Sequence, residues 1–223
     1  MIKSKKNISL LTAMSLGDGC LRRLSHIYPS SKKGSLCIKH CLKQKPYLVY
    51  KAKLLSEIFQ KDIPVKDINN SGYPGCYLSV ADDYLRCLYD FMTHEKRKFI
   101  SSKVLNRLTP EGIAIWYMDD GSLTLHKSKD KLSYHSREIY LNTYCSFDEA
   151  ETVQVFFKTK YNIDFRIAKH KEKFRLACNT SNTQKFVALV SPFIIPEMEY
   201  KIDLKYNRLC NITKFEARVP ANL

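Results

Sequence analysis

The chain has 223 residues, 44% of them hydrophobic and 26% charged, which excludes intrinsic disorder and allows a substantial core as one domain or two fused halves. A net charge of +15 and a pI near 9.4 suit a long polyanion better than a small acidic ligand. No apolar run approaches the length of a membrane span, so no membrane partner is expected.

The first segment, MIKSKKNISLLTAMSL, has the basic start and short apolar core of a signal peptide. It runs into Gly17-Asp18-Gly19 and Arg22-Arg23 without a small-residue cleavage site, so a helix is the better reading. Asn7 or Ser9 is expected to cap that helix, which ends near Gly17. Ala13 and Gly17, four apart, share a face that lets another backbone approach. A strand over Cys20–Tyr28, a turn and a second strand over Ser35–Cys41 come next. Helical periodicity then covers Pro46–Gln60, with Tyr47, Val49 or Tyr50, Leu54 and Ile58 inward. Two short strands near 63–68 and 76–80, joined through Asn69-Asn70-Ser71-Gly72, precede a helix capped by Asp82 or Asp83.

A short polar bridge, Ser101–Leu108, leads into a second half with the same order. Thr109 suits an N-cap, Pro110 the first helical position and Glu111 the first turn. The apolar run Ile113–Met118 is too uniform for a surface helix. Strands near Ser122–Lys127 and Arg137–Thr143 follow, with a basic loop between them. Ser146 and Glu149 form a capping box for the next helix. Strands near Asp164–Lys169 and Lys173–Cys178 and a helix over Asn182–Val190 complete the half. Both halves read α-β-β-α-β-β-α, an α+β fold of two pseudo-symmetric repeats at 1–100 and 109–212, with a linker at 101–108 and a tail at 213–223.

The eight cysteines are scattered and read as reduced thiols of an intracellular protein. Cys37, His40 and Cys41 suggest zinc, but no matching pair completes a site, and they are read as strand residues.

The chemistry concentrates where the two apolar helices end. Asp119-Asp120-Gly121 puts two carboxylates at the negative end of a buried helix, an unfavourable position unless something positive meets them; a divalent cation is the simplest answer. One Asp-Gly stop is explained by turn chemistry. A twin needs more: LTAMSLGDG, residues 11–19, also ends in Gly-Asp-Gly, and Asp18 and Asp120 lie 120 − 18 = 102 residues apart, close to half the chain.

LTAMSLGDG and IAIWYMDDG resemble the nine-residue signature of the LAGLIDADG homing endonucleases in their single-chain, two-repeat form. The resemblance covers the chain to about Thr213. It implies motif helices packed at the centre and two four-stranded antiparallel sheets forming a saddle over double-stranded DNA, in a monomer. It places metal binding on Asp18 and Asp120. Ile115 stands where the first motif has Ala13, and Asp119 replaces the small residue matching Gly17, so less symmetric helix packing is expected. Mg²⁺ takes few carboxylates plus water and phosphate oxygens, which suits one Asp per helix end. Mn²⁺ is a plausible alternative and Ca²⁺ a non-catalytic substitute. The free carbonyls near Gly17 and Asp119 are natural extra ligands, with the Asp119 side chain read as packing or supporting. The resemblance also implies a basic residue near the end of each repeat, helping to position solvent or stabilise the scissile phosphate. Lys201 fills that place in the second. In the first, Lys96, Arg97 and Lys98 compete, and Phe99-Ile100 favours Lys98. The spacings from each motif Asp agree, 98 − 18 = 80 and 201 − 120 = 81.

For DNA contact the strands and hairpins offer Arg22, Lys39, His40, Arg137, Arg166, Lys169 and Lys173, and the loops Lys32, Lys33, Lys127, Lys129 and Lys131. The function this supports is site-specific double-strand cleavage of DNA. The rivals are an RNA-splicing maturase binding its own intron RNA and a non-catalytic DNA-binding protein. Retention of both Asp18 and Asp120 favours the nuclease. Met1 starts almost directly on the first motif, which reads as a free-standing product of a bacterial, phage or organellar genome and not as an intein-borne nuclease.

Overall fold

A computed structural model describes residues 4–70, 73–127 and 134–204. Repeat one runs α1 (Lys5–Leu16), β1 (Cys20–Arg23), β2 (Gly34–Cys41), α2 (Lys45–Phe59), β3 (Lys66–Asn70), β4 (Tyr73–Asp82) and α3 (Asp83–Met92). A two-residue hairpin, β5 (Thr93–His94) with β6 (Arg97–Lys98), and one helical turn, α4 (Ser102–Leu105), join it to repeat two. That repeat runs α5 (Pro110–Asp120), β7 (Gly121–Lys127), β8 (Tyr134–Cys145), α6 (Phe147–Tyr161), β9 (Arg166–His170), β10 (Lys173–Cys178) and α7 (Thr180–Val190).

The strands form two antiparallel four-stranded sheets with the same topology, β1-β2-β4-β3 and β7-β8-β10-β9. The repeat is close to exact in places. α2 and α6 both have 15 residues, start 147 − 45 = 102 positions apart and end on left-handed residues, Gln60 and Asn162, with φ of 51°.

α1 and α5 pack against each other at the centre. From Ser9 to Leu16 and from Gly112 to Met118 every residue is buried, which is why neither helix has an amphipathic pattern. Close approach rests on two glycines. A Cβ at Gly17 would collide with the Asp119 side chain, and one at Gly112 with Ser9 Oγ. Ser9 does not cap α1; Ser4 does, its side chain accepting from Asn7 N at 3.1 Å. Ser9 is buried at the helix interface, where its Oγ accepts from Thr109 N at 2.8 Å and lies 3.0 Å from Thr109 Oγ1.

Other boundaries shift modestly. The first strand stops at Arg23 and the chain turns through a 3-10 segment over Leu24–His26. Val49 is exposed, and Leu48, Lys51, Ala52 and Leu55 join Tyr47, Leu54 and Ile58 on the buried side of α2. The bridge at 101–108 is not merely polar, since Val104, Leu105 and Leu108 are buried. Lys129, Lys131 and the tail at 213–223 lie outside the described residues, as does the side chain of Lys127. Among the described residues no helix is long and apolar enough to cross a membrane.

Candidate active site and nucleic-acid interface

The site lies where α1 and α5 end together. Each helix leaves carbonyls free at its C-terminus, and each repeat supplies one lysine to meet them. Lys98, on β6, donates to Gly17 O at 2.6 Å and approaches Leu16 O at 3.4 Å. Lys201, in the 3-10 turn Pro196–Lys201, donates to Met118 O at 2.5 Å and approaches Asp119 O at 3.3 Å. These carbonyls correspond pair by pair across the 102-residue offset. Withdrawal from water lowers both ammonium pKa values, while the carboxylates of Asp18, Asp119 and Asp120 pull them back up. Over the whole residue Lys98 is exposed and Lys201 is buried.

The three carboxylates have different surroundings. Asp18 follows α1 with its side chain 40% exposed, and His40 Nδ1 stands 3.7 Å from Oδ2. Asp120 is half-buried, and its Oδ2 accepts from Trp116 Nε1 at 3.1 Å. Burial, then repulsion from Asp119 and Asp18, raises its pKa to about 7, against the opposing pull of the Trp116 hydrogen bond and Lys98.

Asp119 is the most tightly held. Its carboxylate is fully buried; Oδ1 accepts from Lys51 Nζ at 2.5 Å and Tyr47 OH at 2.7 Å, and Oδ2 from Asp18 N at 3.2 Å. Lys51 is itself wholly buried and also reaches His40 Nε2 at 3.2 Å. Burial and the neighbouring Lys51 lower the His40 pKa, so its ring is neutral near pH 7. The ammonium must donate to Nε2, which puts the imidazole proton on Nδ1, directed at Gln44 Oε1 3.1 Å away. One ligand atom each from Asp18, His40 and Asp119 lie within 4.8 Å of one another, a spacing that could hold a metal ion once Lys51 released the His40 ring.

Away from the helix ends, strand parity decides which basic residues face outward. On β2, Leu36, Ile38 and His40 are buried while Lys39 and Cys41 are exposed. His40 therefore points toward the helix ends, where it lines a cavity with Asp18 and Asp119, and its expected DNA contact would have to be made from this largely buried position. The same parity separates it from Cys37 and Cys41, so the three do not converge on a zinc ion. Arg137 is turned inward likewise: it shares the face of the inward Ile139 and Leu141 on β8, is 1% exposed, and its guanidinium donates to Leu204 O. Arg22, Lys32, Lys33, Lys39, Arg166, Lys169 and Lys173 are all exposed. Arg166 is paired with Glu138 at 2.6 Å. Two basic residues not singled out in the sequence join the outward faces. Lys66 stands opposite Tyr77, and Arg175 lies over the Tyr140 ring at 4.1 Å while reaching Asn142 Oδ1 at 3.4 Å.

Residues 8–186 match the LAGLIDADG DNA endonuclease family. The chain belongs to that family. A probable intron-encoded DNA endonuclease of Mycosarcoma maydis is 33% identical over 110 residues, 49% of this chain and 75% of that protein. The RecA protein of Mycobacterium gastri is 29% identical over 195 residues, 84% of this chain but only 44% of that protein's length. Among solved structures, the homing endonuclease I-WcaI bound to its DNA recognition sequence superposes with a TM-score of 0.72 at 22% identity, covering 90% of this chain and 87% of that one.

In this LAGLIDADG chain the donor set suits a hard divalent cation. The Asp18 carboxylate is exposed, and apart from His40 no donor among the described residues reaches it. The Gly17 and Asp119 carbonyls each face an ammonium yet keep a second lone pair. Lys51, Tyr47, Gln44 and Trp116 went unrecognised as site residues in the sequence. One signal for Lys51 was available: the 102-residue offset places it opposite Val153, which is wholly buried.

Proposed function

We propose that the protein is a site-specific endonuclease that makes a double-strand break in a long duplex by metal-dependent phosphodiester hydrolysis. The observation that carries this reading is the duplicated helix end: Asp18 with Gly17 O and Lys98, and Asp120 with Asp119 O and Lys201, presented together by one chain. Two such units provide one cutting centre per strand. Asp18, Asp120 and the two carbonyls would hold Mg²⁺, or Mn²⁺ in its place. A bound divalent ion supplies charge stabilisation to the attacking and leaving oxygens of the phosphodiester. Lys98 and Lys201 each hold a helix end in place and set a positive charge beside the scissile phosphate. The outward lysines and arginines of both sheets, with Lys32 and Lys33, track the phosphates and fix register on the duplex.

The test is to challenge the purified protein and Mg²⁺ with a library of long duplex sites, then to compete the selected duplex against RNA of the intron that carries the gene, in Ca²⁺. Sheet-borne side chains enter a B-form major groove, whereas the deep, narrow A-form groove excludes them. Cleavage at one long site, with duplex the far better competitor, supports the endonuclease. No cleavage together with tighter RNA binding overturns it in favour of RNA maturation. With about six or more phosphate contacts, the log–log salt slope of duplex binding should be near −5 or steeper.

A further inference from the structure

The two halves of the site are not supported alike. We propose that Lys51, with Tyr47, is a positioning residue that acts through Asp119 to align Asp18 alone, so that one strand's cleavage depends on this support and the other's does not. The inference rests on the metal-dependent reading above.

The support is a chain of contacts that crosses between repeats twice. Lys51 and Tyr47 on α2 of repeat one grip Asp119 Oδ1 at the end of α5 in repeat two. Asp119 returns its other oxygen to the backbone N–H of Asp18, in repeat one. Fixing that N–H fixes the peptide between Gly17 and Asp18 and the direction in which the Asp18 side chain leaves it. The chain of contacts is fully buried at the Lys51–Asp119 pair, where geometry is held most firmly.

Repeat two has no counterpart. Across the 102-residue offset, Asp119 becomes Gly17, which has no side chain to offer the Asp120 N–H. Lys51 becomes Val153, and Tyr47 becomes Glu149, whose carboxylate is spent on Ser146 N at 2.9 Å and Ile100 N at 2.9 Å. By sheet register His40 corresponds to Thr143, since Cys20 pairs with Cys37 and Ser122 with Tyr140. Asp120 is supported differently, by Trp116, whose counterpart Met14 can donate nothing to Asp18. Outer partners of a metal ligand are typically worth about ten- to a hundredfold in affinity or activity, and here they differ completely between the two carboxylates.

Two variants probe the support without leaving a buried charge unpaired: Tyr47→Phe, which removes one hydroxyl, and the neutral pair Lys51→Met with Asp119→Asn. The first readout is Ca²⁺ binding to the full-length protein, followed by calorimetry and by fluorescence of Trp116, the single tryptophan, which lies against Asp120. Asp18→Asn and Asp120→Asn assign the two binding steps. In both support variants the Asp18 step should weaken about tenfold or more, while the Trp116-reported step stays within about twofold. The second readout is strand-specific cutting of a supercoiled target in Mg²⁺. One strand should slow selectively and nicked circles accumulate, the same strand in both variants. Equal loss at both steps or on both strands would mean a merely structural role and overturn the proposal, as would no change in either variant. A wild-type protein that binds no Ca²⁺ and cuts no duplex would instead overturn the metal-dependent reading itself.

Discussion

The two helix ends share a backbone plan and are fitted out differently. At the end of α1, Gly17 carries no side chain and Asp18 stands in solvent beside a neutral histidine. At the end of α5, Asp119 adds a third carboxylate, and the surroundings have changed to accommodate it. An isolated carboxylate with no exposed surface is prohibitively costly, so Lys51 sits where the other repeat has a valine, and a tyrosine hydroxyl completes the pairing. Gly17 is the other half of this arrangement, since its missing Cβ leaves room for the Asp119 side chain. The lesson is that pseudo-symmetry survives here in the backbone and the lysine-to-carbonyl contacts, while the polar groups around the carboxylates have diverged.

The largest effect should come from breaking the charge pair on one side only. Lys51→Met alone leaves Asp119 buried and unpaired and should destabilise the protein by about 3–5 kcal/mol, read by chemical denaturation. Copying the other repeat at both charged positions, Lys51→Val with Asp119→Gly, should recover most of that loss. A double variant as unstable as the single one would show that the pair is not the source of the cost. Next in size is Gly17→Ala, which overpacks the helix contact and should cost about 1–3 kcal/mol. Because the colliding atoms belong to Asp119, the same change made in an Asp119→Gly background should cost much less; equal penalties in both backgrounds would place the crowding elsewhere.

The smallest effect concerns Asp120, whose folded pKa of about 7 lies above its ordinary 3.8. A carboxyl that holds its proton more tightly when folded favours folding at low pH, and that contribution is lost as pH rises from 3.8 through about 7. In chelator, wild-type Tm should therefore carry a falling component across this window, and Asp120→Asn should remove it. Above pH 7 the variant should melt a few degrees higher, at roughly 2–4 °C per kcal/mol for a chain of this size. A wild-type pH profile identical to that of Asp120→Asn would show that burial is not straining this carboxylate.

Much of this was legible in the sequence because local chemistry agreed with the fold. Thr109, Pro110 and Gly121 bound α5 as expected, and Ser146 with Glu149 makes the capping box of α6. The resemblance implied a basic residue near the end of each repeat, and equal spacing from the two motif Asp residues agreed with choosing Lys98 and Lys201. What could not be read depended on register and on partners distant in sequence. Arg137 and His40 have the composition of groove-reading residues, yet a one-residue change of parity turns a side chain from solvent to core. Lys51 looks like an ordinary surface charge in YLVYKAKLLSEIF, because its partner is 68 positions away in the other repeat. Ser9, a plausible cap by type, is instead spent across the helix interface on Thr109.

In the proposed mechanism Asp18 and Asp120 are each required for cutting and neither for holding DNA. The direct measurement is double-strand cleavage of the selected duplex in Mg²⁺ by Asp18→Asn and by Asp120→Asn, with duplex affinity measured in parallel in Ca²⁺. The expected result is loss of linear product in both variants with affinity close to wild type, since Lys and Arg contacts to phosphate supply the binding. Full cleavage by either variant would contradict the assignment.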